Sequence, residues 1–170
     1  MNIQSYIRDI PNFPKEGIIF KDITPLLNNA AARKECLTIL LKNLPDIKID
    51  KVVATESRGF FFGIMLAEAL GAGFVPVRKK GKLPYETFSA SYELEYGTDI
   101  LEIHIDAIAK GENILIHDDV LATGGTIKAV CELVKKLEGN IVQCNFLMEL
   151  GFLNGREKIK DEGIFTILTY

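Results

Sequence analysis

Residues 113–126 constrain the fold more than any other stretch of the chain. They read Asn-Ile-Leu-Ile-His-Asp-Asp-Val-Leu-Ala-Thr-Gly-Gly-Thr. The run 113–117 has the near-continuous apolar pattern of a strand buried on both faces. Two carboxylates end it abruptly, and a loop of small residues follows. The period then changes. Over 126–138, Ile127, Val130, Cys131, Val134 and Leu137 fall on one helical face. Glu132 stands four residues before Lys136, a favourable pair. Lys135 and Lys136 suit the negative end of that helix, and Gly139 suits its stop.

The same order occurs upstream. Residues 51–55 read as a buried strand, 56–59 as a tight loop, 60–70 as a helix ended by Gly71, and 73–77 as a second apolar strand. Strand, helix and strand at this spacing predict a parallel βαβ unit. Phe88, Ala90, Tyr92, Leu94 and Tyr96 then alternate with polar residues, 97–99 form a turn, and Leu101, Ile103 and Ile105 alternate again. This is a β-hairpin inserted at the working edge of the sheet. Residues 141–150 and 164–168 supply two more strands. Near the N-terminus, 1–10 read as a short helix broken by Pro11, Pro14 and Gly17. A second break falls at Pro25, Asn28 and Asn29, and a helix spans 30–44, with Cys36, Leu37, Leu40, Leu41 and Leu44 on one face. The expected fold is α/β, with a mostly parallel central sheet flanked by helices. In such sheets ligands bind beyond the carboxyl ends of the strands.

A chain of 170 residues predicts one domain with a real core. A net charge of -3 argues against general nucleic-acid binding, which needs a broad basic field. Cys36, Cys131 and Cys144 lie far apart in apolar segments, with only His104 and His117 as further soft ligands, so a zinc site is disfavoured and reduced core thiols are expected. The N-terminus has no long apolar signal segment. The apolar stretch 60–70 contains Glu68 and is too short to cross a bilayer. The reading is a cytoplasmic protein with no membrane partner.

The chemistry of 114–126 follows from its parts. N–H groups at a helix start are unpaired and, with the helix dipole, attract anions. Gly124 and Gly125 allow close backbone approach to a phosphate, and Thr123 and Thr126 add hydroxyl donors. Asp118 and Asp119 would repel a phosphate but suit vicinal hydroxyls, which donate to carboxylates. A ribose 5-phosphate matches both charge patterns. The alternative is a plain helix cap beside two solvated acids. No G-x-x-x-x-G-K-[ST] occurs, and Gly71-Ala72-Gly73 lacks the third glycine of a dinucleotide fingerprint, because position 76 is proline.

This stretch resembles the signature by which type I phosphoribosyltransferases bind phosphoribosyl pyrophosphate (PRPP). Four other segments are similar to the adenine-using branch of that family: 13–23 with Phe13-Pro14 and Gly17 to Ile23, 56–60 with Glu56-Ser57-Arg58-Gly59-Phe60, 78–84, and 91–97; Gly155-Arg156-Glu157-Lys158 is a fifth. The resemblance covers essentially the whole chain. It implies a single domain with a hood built from about 1–30 and a C-terminal segment, and a flap over about 79–105. It implies that adenine and PRPP become AMP and pyrophosphate, with Mg²⁺ delivered by PRPP, in a homodimer.

The resemblance also implies residue roles. Ala122, Thr123, Gly124, Gly125 and Thr126 would hold the 5′-phosphate, and Asp118 and Asp119 the ribose hydroxyls. Arg58, Arg78, Lys79 and Lys82 would meet pyrophosphate, the last three in this family often across a dimer interface. Phe20 and Leu150 would sandwich adenine, and the backbone of Lys21 would read its edge. Glu95, with Tyr96, would sit on the flap, where Glu95 could assist proton transfer. Each has a plainer alternative: a solvated patch for 78–82, a core aromatic for Phe20, a solvated hairpin face for Glu95, an ion pair with Glu56 for Arg58. His117 departs from the aliphatic residue common at its position in the family and reads as a satisfied core histidine. Two rival functions are a transferase for another purine and a PRPP-sensing regulator. Ala122 stands where enzymes using 6-oxo purines commonly carry an acid, and residues 1–50 hold no convincing helix-turn-helix.

Overall fold

The chain forms two compact units, Met1–Lys42 and Asn43–Tyr170. The computed structural model describes residues 1–93 and 98–170. In the first unit, a 3₁₀ turn at Ile3–Tyr6 leads into β1 (Arg8–Pro11), which pairs antiparallel with β2 (Ile19–Asp22). The short helix expected over 1–10 is thus a turn and a strand. A helix of that length has little stability of its own, and β1 gains a ladder instead. The ladder is reinforced by side chains: Arg8 Nε donates to Asp22 (3.0 Å) and Lys21 Nζ to Asp9 (2.7 Å). Two helices follow, α1 (Thr24–Asn28) and α2 (Ala30–Lys42). Asn29 Oδ1 accepts the Ala32 N–H at 2.9 Å and so caps α2, which buries Ala32, Cys36 and Leu40.

The second unit runs β3 (Lys51–Thr55), α3 (Gly59–Leu70), β4 (Gly73–Lys79), β5 (Thr87–Glu93), β6 (Thr98–His104), β7 (Asn113–Leu121), α4 (Gly125–Lys136), β8 (Asn140–Glu149) and β9 (Ile164–Thr169). Among the described residues these strands form one sheet of order β5-β6-β4-β3-β7-β8-β9. The five from β4 to β9 are mutually parallel; β6 joins β4 antiparallel, and β5 joins β6. The hairpin therefore extends the sheet edge, as its alternation predicts. Thr98 and Asp99, read from the sequence as part of the turn, belong to the ladder, paired with Glu93 and Tyr92. Glu95 and Tyr96 lie outside the described residues. Gly71 ends α3 in the left-handed conformation (φ 60°). At the end of α4 that conformation is taken by Glu138 (φ 60°), one residue earlier than expected. Gly139 serves packing instead: a Cβ there would stand 3.0–3.1 Å from Ile114, Ile108 and Val134.

Alternation along β7 divides the core. Ile114 and Ile116 pack with Val53, Val75, Leu101 and Ile103 and with Ile127, Val130 and Val134 of α4. His117 turns to the opposite face, where the Phe62 ring of α3 lies 6.3 Å away. The two crossover helices thus cover opposite faces. From β3 the order goes to β4 on one side and to β7 on the other. Strand order reverses between β3 and β7, and the crevice beyond their carboxyl ends is where an open α/β sheet accepts a ligand.

Candidate active site

Two loops meet at that crevice. The first follows β3 and starts α3. Here Arg58 Nε lies 3.1 Å from Asp119 Oδ2, so the acid that Arg58 engages is on β7 and not the neighbouring Glu56. Gly59 explains how the loop comes so close. A Cβ at this position would fall 2.9 Å from Asp118 Oδ1, 3.1 Å from the His117 carbonyl and 3.2 Å from Asp118 Cα. The backbone of α3 can rest on β7 only because there is no side chain between them.

The paired acids are not at the end of a strand, as the sequence indicates. β7 continues through Leu121, with Asp118 opposite Phe146 and Leu121 opposite Glu149 of β8. The ladder supplied by β8 carries the strand past its apolar run. Asp119 is 3 % exposed, and its N–H donates to Asp118 Oδ1 at 2.9 Å. Burial, together with the adjoining Asp119 charge, raises the Asp118 carboxyl well above the usual range. Burial raises Asp119 as well, and Arg58 opposes it. A buried acid and a half-buried one beside a single cation are short of donors, which is what a vicinal diol offers.

The second loop, 122–124, leads from β7 into α4. Gly124 sits at the helix start with φ 77°, and no side chain caps the first turn. A helix start without a side-chain cap is the arrangement that suits an anion. Ala122 and Thr126 are partly exposed here, Thr123 is exposed, and Gly125 is buried.

The cationic run is organised by Glu56, which chain proximity had offered to Arg58 instead. Glu56 Oε2 accepts the Lys79 N–H at 2.9 Å, and its carboxylate lies 3.4 Å from both Arg78 and Lys82. Although burial acts the other way, these partners hold Glu56 below its ordinary value. Lys79 Nζ turns away to Asp99 at 2.9 Å. The run is thus tied at its base to Glu56 and Asp99, with the Lys79 and Lys82 side chains still about half exposed.

Of the base-contact candidates, Phe20 and Lys21 lie on β2 in the first unit. Phe20 packs edge-to-face on Phe13 at 5.2 Å, and the Lys21 side chain holds Asp9. Leu150 lies in the second unit, its N–H donating to Leu121 O at 2.9 Å. Glu95 is outside the described residues.

His117 is fully buried, with Nδ1 2.7 Å from Asn145 Oδ1, and burial lowers its pKa to about 4. The unfolded chain binds its proton near 6.5. Stability from this group is therefore complete above about 6.5 and is lost as pH falls toward 4, by up to about 3 kcal/mol. Chemical unfolding of the native chain and of His117→Gln, compared between about pH 4 and 7, should show the difference between the two shrinking toward the acid end. A constant difference would contradict this.

The fold and the strand–acids–loop unit are those of a phosphoribosyltransferase, and residues 22–168 match the family model described as the phosphoribosyl transferase domain. The chain is 72% identical over 170 residues to the adenine phosphoribosyltransferase of Flavobacterium johnsoniae, covering 100% of both. The crystal structure of adenine phosphoribosyltransferase from Thermoanaerobacter pseudethanolicus matches with a TM-score of 0.96 at 53% identity, covering 99% of this chain and 98% of that one. The Saccharomyces cerevisiae enzyme, solved with adenine and an imino-altritol bisphosphate, matches with a TM-score of 0.92 at 48% identity, covering 98% and 96%. This chain belongs to the adenine phosphoribosyltransferase family.

Proposed function

We propose that the chain transfers a phosphoribosyl group from PRPP to adenine, giving AMP and pyrophosphate, with its chemistry in the crevice between β3 and β7. The observation that carries this reading is the Arg58–Asp119 contact beside the uncapped start of α4. It supports a reading in which Arg58 is the cation, the paired acids are the diol acceptors and the loop that follows them is the anion site. Asp118 and Asp119 hold the ribose hydroxyls. Residues 122–126 take the 5′-phosphate through backbone N–H groups and the Thr123 and Thr126 hydroxyls. Arg58 meets the departing pyrophosphate, with Arg78, Lys79 and Lys82 adding charge around it.

Displacement at the anomeric carbon passes through an oxocarbenium-like state, as in glycoside cleavage. The chain's task is to fix the ribose, neutralise charge on the leaving group and exclude water. PRPP brings Mg²⁺, which when bound supplies charge neutralisation on the phosphate oxygens. Among the described residues no three His, Cys, Asp or Glu side chains form a metal cage. Asp118 and Asp119 suit an ion whose other ligands are phosphate oxygens and water. Glu95 is the candidate for proton transfer on the strength of the resemblance, and so are Phe20, Lys21 and Leu150 for the base.

A homodimer belongs to the same proposal. Phe61 and Ile64 on α3 are 47 % and 53 % exposed in a helix that is apolar nearly all round, and a second copy would cover them. A cytoplasmic site suits three free, buried thiols, with Cys131 and Cys144 sulfurs 3.9 Å apart and unjoined. Among the described residues no helix is long and apolar enough to cross a membrane.

The test offers purified protein PRPP and Mg²⁺ with adenine, hypoxanthine, guanine and xanthine in parallel. AMP from adenine, with the 6-oxo purines turned over at least about 10²-fold less efficiently, is the expected result. A 6-oxo mononucleotide as main product would overturn the base assignment. PRPP binding with no product from any base would favour a sensor.

A further inference from the structure

We infer that Gly155 and Arg156 position the 5′-phosphate loop, acting as a buttress behind residues 122–125. The inference rests on the phosphate reading of that loop.

Three observations carry it. First, Gly124 and Gly155 pack backbone against backbone. A Cβ on Gly124 would run into the Gly155 carbonyl, and one on Gly155 would run into the Ala122 carbonyl with Gly124 N at 3.0 Å. The loop is shaped against this second glycine, and backbone atoms cannot step aside as a side-chain tip can. Second, the segment bearing Gly155 is tied down by its neighbour. Arg156 Nε donates to Glu149 Oε2 at 2.7 Å, and its terminal nitrogen reaches both that carboxylate and Thr166 Oγ1 (3.3 Å). Thr166 Oγ1 closes the triangle by donating to Glu149 Oε2 at 3.1 Å. Third, the anchor is firm. Glu149 is 7 % exposed, and it pairs in register with Leu121 of β7 on one side and Thr169 of β9 on the other. The Arg156 partner lowers the Glu149 pKa, so the anchor stays charged.

Glu149 thus joins the end of β7 to Arg156, and Arg156 holds Gly155 against the loop that leaves β7. The loop's N–H groups can bind phosphate only if they keep one direction. Arg156 itself lies 44 % exposed along its side chain and is assigned no contact with substrate; it is a positioning residue.

Arg156→Gln should raise KM for PRPP and Kd for AMP by roughly tenfold to a hundredfold. KM for adenine should stay within about twofold, because only the phosphate end is misplaced. Arg156→Lys should recover part of the loss, keeping the ion pair with Glu149 without the bridge to Thr166. Gly155→Ala should act like Arg156→Gln. Thermal melts confirm that each variant is folded, and Arg156→Lys serves if the others are not. Equal weakening of PRPP and adenine, or of neither, would overturn the inference. Thr126→Ala separates the two levels. If it weakens AMP while folded Arg156 and Gly155 variants do not, the buttress alone fails. If it leaves AMP binding unchanged, the phosphate reading of the loop fails and the buttress with it.

Discussion

Asparagine at Asp118 or Asp119 should lower kcat/KM by about 10²–10⁴-fold, the loss expected when two hydrogen bonds to carboxylates, each about 1.5–3 kcal/mol, become neutral. Asn keeps the shape of Asp but turns one acceptor oxygen into a donor, which faces a hydroxyl that must also donate. Asp118→Asn should at the same time make the protein more stable. The folded-state pKa of Asp118 is raised by burial and by the adjoining Asp119. The unfolded chain ionises near the usual carboxylate value of about 3.9. Between those two values the folded state holds a proton that the unfolded state has released, so stability falls as pH climbs out of the acid range. Asn removes that penalty. His117 imposes the opposite slope over part of this range, so the informative quantity is the difference between Asp118→Asn and the native chain. It should grow from about pH 4 upward. A variant that loses activity and is also less stable at neutral pH would contradict this account of the paired acids.

Arg58→Gln is expected to damage both activity and stability. It removes the cation 3.1 Å from a carboxylate that is 3 % exposed. Breaking a buried pair from one side leaves an uncompensated charge and costs about 3–5 kcal/mol, reduced here to about 2–4 because Arg58 is partly in water. The pyrophosphate also loses a donor, with kcat/KM falling about 10²–10³-fold, as when one preorganised donor to developing charge is deleted. The double variant Arg58→Gln/Asp119→Asn separates the two effects. It should regain much of the melting temperature, since the unpaired charge at position 119 is gone, and stay inactive. If the double variant is no more stable than Arg58→Gln, the ion pair is not what Arg58 contributes to the fold.

The two predictions draw on different layers of legibility. The acids, the small-residue loop and the helix after them are consecutive in the chain, and local order is enough to read them. So are the buried strands, whose apolar runs match β3 over 51–55 and the start of β7, and the hairpin, whose alternation returns as β5 and β6. Where reading failed, a distant partner decided. Residues 8–11 have no strand signal of their own and become β1 because 19–22 pair with them. β7 runs on through its two acids because β8 continues beside it.

The same holds within the site. Arg58 and Glu56 are two residues apart, and proximity offered them to each other. In the fold they diverge, Arg58 to Asp119 and Glu56 to Arg78 and Lys82. Parallel strands bring the loop after β3 over β7 and beside the end of β4, and opposite charges there win over chain neighbours. Gly59 and Gly155 were legible only as parts of motifs. Their physical reason, a backbone with no room for a Cβ, exists only once two distant segments touch. The sequence by itself determined most of the element types, the sheet class and the succession of strand, paired acids, small-residue loop and helix, because these depend on periodicity and on neighbours in the chain. Tertiary structure alone decided which charges pair, where the strands end and which glycines are obligatory, because each depends on atoms that the chain order keeps far apart.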